Sequence, residues 1–403
     1  MIDYLEVSSE KNRDNRFTKD DVLSVSGEYG IVNQIEFQGR SFAGASVSNY
    51  GVVENGDVVY TKSPLKSNPY GIIKTNKGIP GIVSTLYAVY KPKEITDSKF
   101  VQIYFELDSR MNSYMHPLVN KGAKNDMKVS AENALKGMVS FPKKDEQEMI
   151  SLYFSNLDHL ITLHQRKCDQ TKNLKKYMLQ KMFPQNGAKV PEIRFDGYTY
   201  DWEQRKLGEL VKEGILEAPL DGNHGEKHPT SDEYVDSGIP FLMASDIHNG
   251  EVNIYSCKYI TKERAERLDK GFARNGDVLL THKATIGETA ILSNLMTEYA
   301  MLTPQVTYYR IKNEERLNRE YLYSFFNSLD FQTELKTKAA QSTRPYIGIT
   351  AQQNLKIILP AEIDEQIRIG LYFRNLDHLI TLHQRKCDEL KKMKKYMLQN
   401  MFI

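Results

Sequence analysis

The sequence predicts an α+β chain in which two β-rich domains alternate with two long, coiled-coil-like helices. Two observations carry that prediction. Residues 152–183, LYFSNLDHLITLHQRKCDQTKNLKKYMLQKMF, recur 219 positions later as residues 371–402, LYFRNLDHLITLHQRKCDELKKMKKYMLQNMF, with 26 of 32 positions identical. The tetrapeptide Asn-Gly-Asp-Val stands at 55–58 and again at 275–278, an offset of 220, each time before a strand-like run. The chain is therefore a direct repeat of a whole domain plus its helix, at a period too long for a solenoid unit. The helical copies are nearly identical and the domains have drifted apart. Whatever the helices do is the same twice, and whatever the domains do differs.

Residues 1–142 form the first domain. They are rich in Tyr, Val, Ile and Gly, and their short apolar runs (GEYGIVNQIEF, NGDVVYTK, GIPGIVSTLYAVYK) are broken by turn residues. That is the texture of short strands joined by loops, with one helix expected over Phe100–Met111. The first long helix occupies 143–183: Asp145 and Glu148 make an Asp-x-x-Glu capping box at its start, and Pro184 stops it. About 39 residues at roughly 1.5 Å each give a rod of nearly 60 Å. Phe154, Leu157, Leu160, Ile161, His164, Cys168, Thr171, Leu174 and Met178 recur along it at helical spacing, as on a coiled-coil face. Residues 184–200 are a Pro/Gly/polar linker. Residues 201–360 repeat the mixed β texture (WEQRKLGEL, GIPFLMASDI, NGDVLLTHK, MLTPQVTYYRI), with a helix expected from Arg319 to Thr337. Residues 361–403 hold the second long helix, from about Asp364.

Charge is nearly balanced, 54 basic against 52 acidic side chains. By segment, residues 1–142 carry +1, residues 184–360 carry −4, and the two helical segments together carry +5. A nucleic-acid partner would have to be met by clustered charge, not by an overall basic balance. Cys168, Cys257 and Cys387 are too few and too scattered for a disulfide scaffold, which fits a reducing, cytoplasmic setting. The opening MIDYLEVSSEKNRDNRF has no apolar segment behind a basic start, and no apolar run nears 18 residues, so neither signal peptide nor membrane span is expected. There is no G-x-x-x-x-G-K-[ST] phosphate loop. Ser67-Asn68-Pro69-Tyr70 approaches the Asn-Pro-Pro-Tyr loop of adenine methyltransferases but lacks the second proline, and no glycine-rich cofactor loop precedes it.

The doubled NLDHLITLHQRKCD…LKKYMLQ helix, the VPEIRFDGYTYDWEQRKLGEL lead-in, the DGNHGEKHP and SGIPFLMASDIHNG segments and the paired NGDV turns are similar to the specificity subunit of type I restriction-modification systems. The resemblance covers essentially the whole chain. It departs at the start, where nothing before Tyr4 matches the lead-in with Pro191, Phe195, Trp202 and Leu207, which leaves the first strand of the first domain open. The resemblance implies a non-catalytic reader of double-stranded DNA with two target-recognition domains, separated by two antiparallel helices in pseudo-two-fold arrangement. It implies docking of methyltransferase subunits, two of them, and of restriction/translocase subunits. No cofactor is expected in this chain; S-adenosylmethionine, ATP and Mg belong to the partners. A direct repeat with antiparallel helices inverts its domains as a two-fold dimer does on a palindrome, so two unlike readers make a bipartite, asymmetric target. With half-site centres about 10 bp apart, roughly 5 to 8 base pairs go unread.

Base edges are read by Arg, Lys, Asn, Gln, Ser and Thr side chains on polar loops. The first domain offers Asn33, Gln34, Arg40, Ser41, Thr61, Lys62, Ser63, Lys66 and Lys124. The second offers Asn223, His224, Lys227, His228, Ser245, His282, Lys283 and Arg344. Tyr177, Met178, Tyr396 and Met397, near the helix ends, are the expected partner contacts. His164/Cys168 and His383/Cys387 could in principle converge as a Cys2His2 metal site, but filling the inter-helix stripe is the favoured reading and no metal is expected. The basic tracts on the helices read as solvated flanks or docking surface, and Trp202 as a core anchor. The alternatives are a coiled-coil interaction scaffold with protein-binding β domains, and a methyltransferase in its own right.

Overall fold

The computed structural model describes residues 1–62, 68–121, 127–340 and 345–402. It divides into two compact units, Met1–His164 with Arg385–Ile403, and Gln165–Gln384. Both long helices therefore contribute to both units. No helix among the described residues is long and apolar enough to cross a membrane.

The first unit holds a four-stranded antiparallel sheet in the order Leu5–Val7, Tyr87–Pro92, Val58–Thr61, Ile73–Thr75. The second holds Leu220–Asp221, Val306–Tyr309, Val278–Lys283, Thr285–Ile291 in the same order. Sequence drift has left the topology intact. The Asn-Gly-Asp-Val turns feed the equivalent inner strand in each sheet. Gly56 and Gly276 take φ of 91° and 97°, a region glycine occupies without strain. Asp57 then accepts the Glu54 N–H at 2.8 Å and pairs with Lys91 at 3.2 Å. Asp277 accepts the Arg274 N–H at 2.7 Å and pairs with Arg310 at 2.7 Å. Burial raises both carboxyl pKa values, and the neighbouring cation opposes it. The repeated tetrapeptide is thus a turn lock. The second domain adds a sheet of Lys258–Ile260, Ile239–Leu242, Ala300–Leu302 and Phe272–Ala273, with one parallel pair. Its Glu203–Lys206 strand pairs with Lys356–Leu359. The first described strand of the first domain is Leu5–Val7, the equivalent of Leu220–Asp221.

Two expected helices are each split. In place of Phe100–Met111 stand Ser98–Tyr104 and Asp108–Met115: Phe105 turns into the core, and Arg110 Nη1 donates to Tyr104 O at 2.8 Å to close the first helix. In place of Arg319–Thr337 stand Arg319–Phe326 and Leu329–Ala339. There Asn327 Nδ2 donates to Tyr323 O at 2.8 Å and to Thr289 Oγ1 at 2.7 Å, a side chain competing with the helical backbone.

The long helices run over Lys144–Lys181 and Ile363–Asn400, 38 residues each. Their seam is narrower than expected. Leu160 and Leu174 are 40% and 45% exposed, because the three-four alternation runs 154, 157, 161, 164, 168, 171, 175, 178 and leaves both one position to the side. It places Lys175 on the seam instead. In the second unit Phe183 stacks on Phe373 with centroids 5.8 Å apart, Lys175 Nζ meets Asp377 Oδ1 at 2.5 Å, and Cys168 Sγ lies 3.8 Å from Ile380 O. In the first unit Phe402 stacks on Phe154 at 6.4 Å, Lys394 Nζ meets Asp158 Oδ1 at 2.7 Å, and Cys387 Sγ lies 4.0 Å from Ile161 O. Within each unit the partner number falls as the helix number rises, so the pairing is antiparallel. The two sets interconvert when 219 is added to one partner and taken from the other.

A second repeated device joins each domain to the helix that follows it. Gln147 Oε1 accepts the Asp97 N–H at 2.9 Å while Nε2 donates to Ile95 O and Pro142 O at 3.1 and 2.8 Å. Gln366 Oε1 accepts the Asn318 N–H at 3.0 Å while Nε2 donates to Arg316 O and Pro360 O at 3.3 and 3.4 Å. Asp97 and Asn318 are the N-caps of domain helices, and both glutamines are buried. Replacing Gln366 by Ala leaves one N–H and two carbonyls without this partner. The loss of unfolding free energy in urea is expected to be about 2 to 3 kcal/mol, and a loss under 0.5 would remove the glutamine from this role.

Candidate nucleic-acid interface

In the second domain the Val278–Lys283 strand turns into Thr285–Ile291 through Ala284, whose φ of 66° is left-handed, and the turn presents Lys283 to solvent with its ammonium 6.0 Å from the Tyr346 ring. Beside it opens a cavity of about 460 Å³ lined by His224, His228, Tyr234, Lys283, Thr303 and Gln305 among others. Behind the lining residue His224 stands a buried acid. Asp221, fully buried, accepts from His224 Nε2 at 2.8 Å and pairs with Lys270. Burial is the largest influence on its pKa and raises it, but Lys270 and His224 together outweigh burial and hold the carboxyl below its usual range.

His282 is fully buried: Nδ1 donates to Ile347 O at 3.0 Å, and Nε2 stands 3.9 Å from Asp221 Oδ2. Burial pushes its pKa down to about 4, against the pull of Asp221. His228 is half-buried with its ring 5.4 Å from Phe241, and burial lowers its pKa as well.

His224, Lys227, Ser245 and Lys283 are exposed, although Lys227 already pairs with Asp269. Three expected contact residues are internal and leave the contact set. Thr61 is buried and its Oγ1 accepts the Ile72 N–H at 2.8 Å. Asn223 is buried, donating to Lys270 O at 2.7 Å and accepting the Asp269 N–H at 3.1 Å. His282, as above, is the third. In the first domain Asn33 caps the helix Gln34–Gln38 and donates to Asp20 O at 2.7 Å. Gln34 bridges Ser24 Oγ at 3.1 Å and the Phe42 N–H at 2.7 Å, and Ser41 donates to Lys19 O at 3.1 Å, so these three amides and hydroxyls serve the loop first. Arg40 is exposed over the Phe42 ring at 4.6 Å, and Lys62 is half-buried. Ser63, Lys66, Lys124 and Arg344 lie outside the described residues. Tyr177 and Tyr396 are exposed, whereas Met178 and Met397 sit on the seam and pack on their own clusters. Among the described residues no three His, Cys, Asp or Glu side chains gather as metal ligands.

Three residues went unnoticed in the sequence. Thr303 and Gln305 lie within an apolar run that reads as strand, and only the Pro304 between them marks a loop. Asp221 opens the DGNHGEKHP segment, where nothing in the sequence marks it as buried.

Residues 200–392 match the family described as "Type I restriction modification DNA specificity domain". The chain is 23% identical over 341 residues to the Type I restriction enzyme MjaVIII specificity subunit of Methanocaldococcus jannaschii, covering 82% of this chain and 75% of that one. It is 24% identical over 187 residues to the EcoBI specificity subunit of Escherichia coli, covering 44% and 36%. The crystal structure of the type I restriction-modification S subunit from M. genitalium superposes with a TM-score of 0.59 at 12% identity, covering 100% of this chain and 94% of that one. The expected fold class of two β-rich domains and two long helices is therefore found, and the matching domain model and the relatives are named for DNA specificity.

The depressed pKa of His282 makes the second domain pH-sensitive with a definite sign. Its contribution to stability is whole above the ordinary value of 6.5 and is lost as pH falls toward about 4. Unfolding followed between pH 7 and 4 is expected to cost the native chain a further amount, of order 3 kcal/mol, relative to His282→Gln. Parallel pH curves for the two proteins would refute it.

Proposed function

We propose, from the premise that residues 200–392 carry a type I restriction-modification DNA specificity domain, that this chain reads DNA sequence for such a system and holds its modification and restriction subunits on that sequence. The observation that carries the reading is the contrast between a doubled frame and unlike surfaces. The helix seam and the docking glutamines occur twice with the same partners. The loops that the two domains offer to solvent do not correspond. A frame that repeats and a surface that does not suit a bipartite, asymmetric target.

Contact would be mostly to phosphate, with a few base edges deciding sequence. On this reading the contacts come from the exposed Lys283, His224 and Ser245 and the half-buried His228 in the second domain, with the exposed Arg40 and half-buried Lys62 in the first. The helices would serve the partners. Four of their exposed apolar residues recur in both copies: Leu152 with Leu371, Leu160 with Leu379, Leu174 with Met393, Tyr177 with Tyr396. Two equivalent docking faces favour two modification subunits. Chemistry, with S-adenosylmethionine, ATP and Mg, would reside in the partners, and the cytoplasm is the setting where all of them meet DNA.

Randomised duplexes offered to the chain together with its modification subunit are expected to yield one enriched motif in two unlike halves. A protein-binding scaffold would enrich nothing. In the same complex, Lys283→Ala or Lys62→Ala should weaken every duplex alike and reduce the slope of log K against log salt by about 1. A slope equal to that of the parent would take that lysine off the DNA.

A further inference from the structure

The two domains can be superimposed in thought on one hydrogen bond. The His282 N–H donates to Gln305 O at 2.9 Å, and in the first domain the Lys62 N–H donates to Leu86 O at 3.0 Å. Both bonds link the end of the inner strand to the residue just before the next strand, so Gln305 and Leu86 hold the same place in the fold. Around that place the frame is constant, down to the locked Asp57 and Asp277 turns. At the place itself the chemistry differs: an amide in one domain and a 60% exposed leucine in the other.

Gln305 lines the cavity of about 460 Å³, and its side-chain amide makes no hydrogen bond within the described residues. Thr303, on the same wall, is 3% exposed, yet its Oγ1 has no partner, and the buried Nδ1 of His228 also has none. Buried polar atoms without partners are uncommon and point to a missing one. Tyr234, Met243 and Pro304 give the cavity flat or apolar walls, and the exposed Lys283 stands at its rim. A phosphate alone would want a ring of donors, which these walls do not provide. The edge of a base, with its backbone passing the lysine, matches them.

We propose that this cavity is the base-reading site of the second domain and that Gln305 selects adenine, donating its amide N–H to N7 and accepting from the N6 amino group. A glutamine amide and the adenine major-groove edge are complementary in this way, and one such pair discriminates by about 1 to 3 kcal/mol, roughly 5- to 150-fold. The inference rests on the DNA-reading function proposed above. It also fixes which positions distinguish the two half-sites, since leucine at the equivalent corner of the first domain can only make apolar contact.

The test uses the full chain with its modification subunit. The parent complex is expected to enrich a motif with an invariant adenine in one half, and Gln305→Leu to lose at least 5-fold discrimination at that single position while the other half stays unchanged. As a probe that needs no variant to fold, 7-deazaadenine placed at that position, which lacks the N7 acceptor, should weaken the parent complex about 5-fold or more. An unchanged motif for Gln305→Leu, or full affinity for the 7-deaza duplex at every adenine of the motif, overturns the assignment while DNA reading stands. Failure of the parent complex to enrich any motif overturns both.

Discussion

A lysine stands on the apolar seam of each long helix, and the structure depends on the carboxylate that meets it. Lys175 finds Asp377 and Lys394 finds Asp158, with Glu106 adding a second acid beside Lys394 at 2.6 Å. Burial opposes the charge on Lys394, but the two carboxylates outweigh burial and keep its pKa above the ordinary value. Such a pair adds little net stability, because desolvation cancels much of the attraction. What it adds is register. A seam of Phe, Leu and Cys alone would tolerate a slip of one heptad at small cost, whereas a slip would move Lys175 to Gly370 or Gln384 and Lys394 to Ser151 or Gln165, where no carboxylate compensates it. With the register fixed, the Phe154/Phe402 and Phe183/Phe373 stacks close the ends. Aromatic residues of each domain then pack against those ends: Phe100 and Tyr104 on Phe402, and Tyr321 and Phe325 on Phe183.

Much of this was legible because helical periodicity and a long identity both survive in a single sequence. The helix spans came within three residues of the structure, and the paired Asn-Gly-Asp-Val turns marked equivalent strands. Leu160 and Leu174 were misplaced because an apolar residue one position off a seam has the same composition signal as one on it. The lysine that does belong there looked like surface. The two domain helices were overextended because Phe105 breaks the first by turning into the core, while Asn327-Ser328, a capping pair, breaks the second with help from the distant Thr289.

The site was harder to read than the fold. Residue type says which side chains can contact a base, but not whether the fold already uses them. Thr61, Asn223 and His282 have suitable polar groups, and each is engaged inside its own domain. Thr303 and Gln305 were overlooked because they sit within a run that reads as β. Their significance appears only when two domains with little sequence in common are compared strand by strand. Unsatisfied hydrogen-bonding capacity is a property of packing and cannot be counted along a chain.

The docking glutamines show how little a domain needs in order to fit this frame. Gln147 and Gln366 each ask for one helix-start N–H, from Asp97 or Asn318, and one carbonyl two residues upstream, from Ile95 or Arg316. All of these are backbone groups that any amino acid can supply, proline alone excepted for the N–H. These bonds are therefore indifferent to side-chain identity, and an unrelated domain of the same topology would keep them, while the aromatic contacts to Phe402 and Phe183 would have to be supplied by its own side chains. A domain could then be exchanged as a whole cassette, with the helices as the invariant housing, so long as the newcomer brings its own side chains to the helix ends.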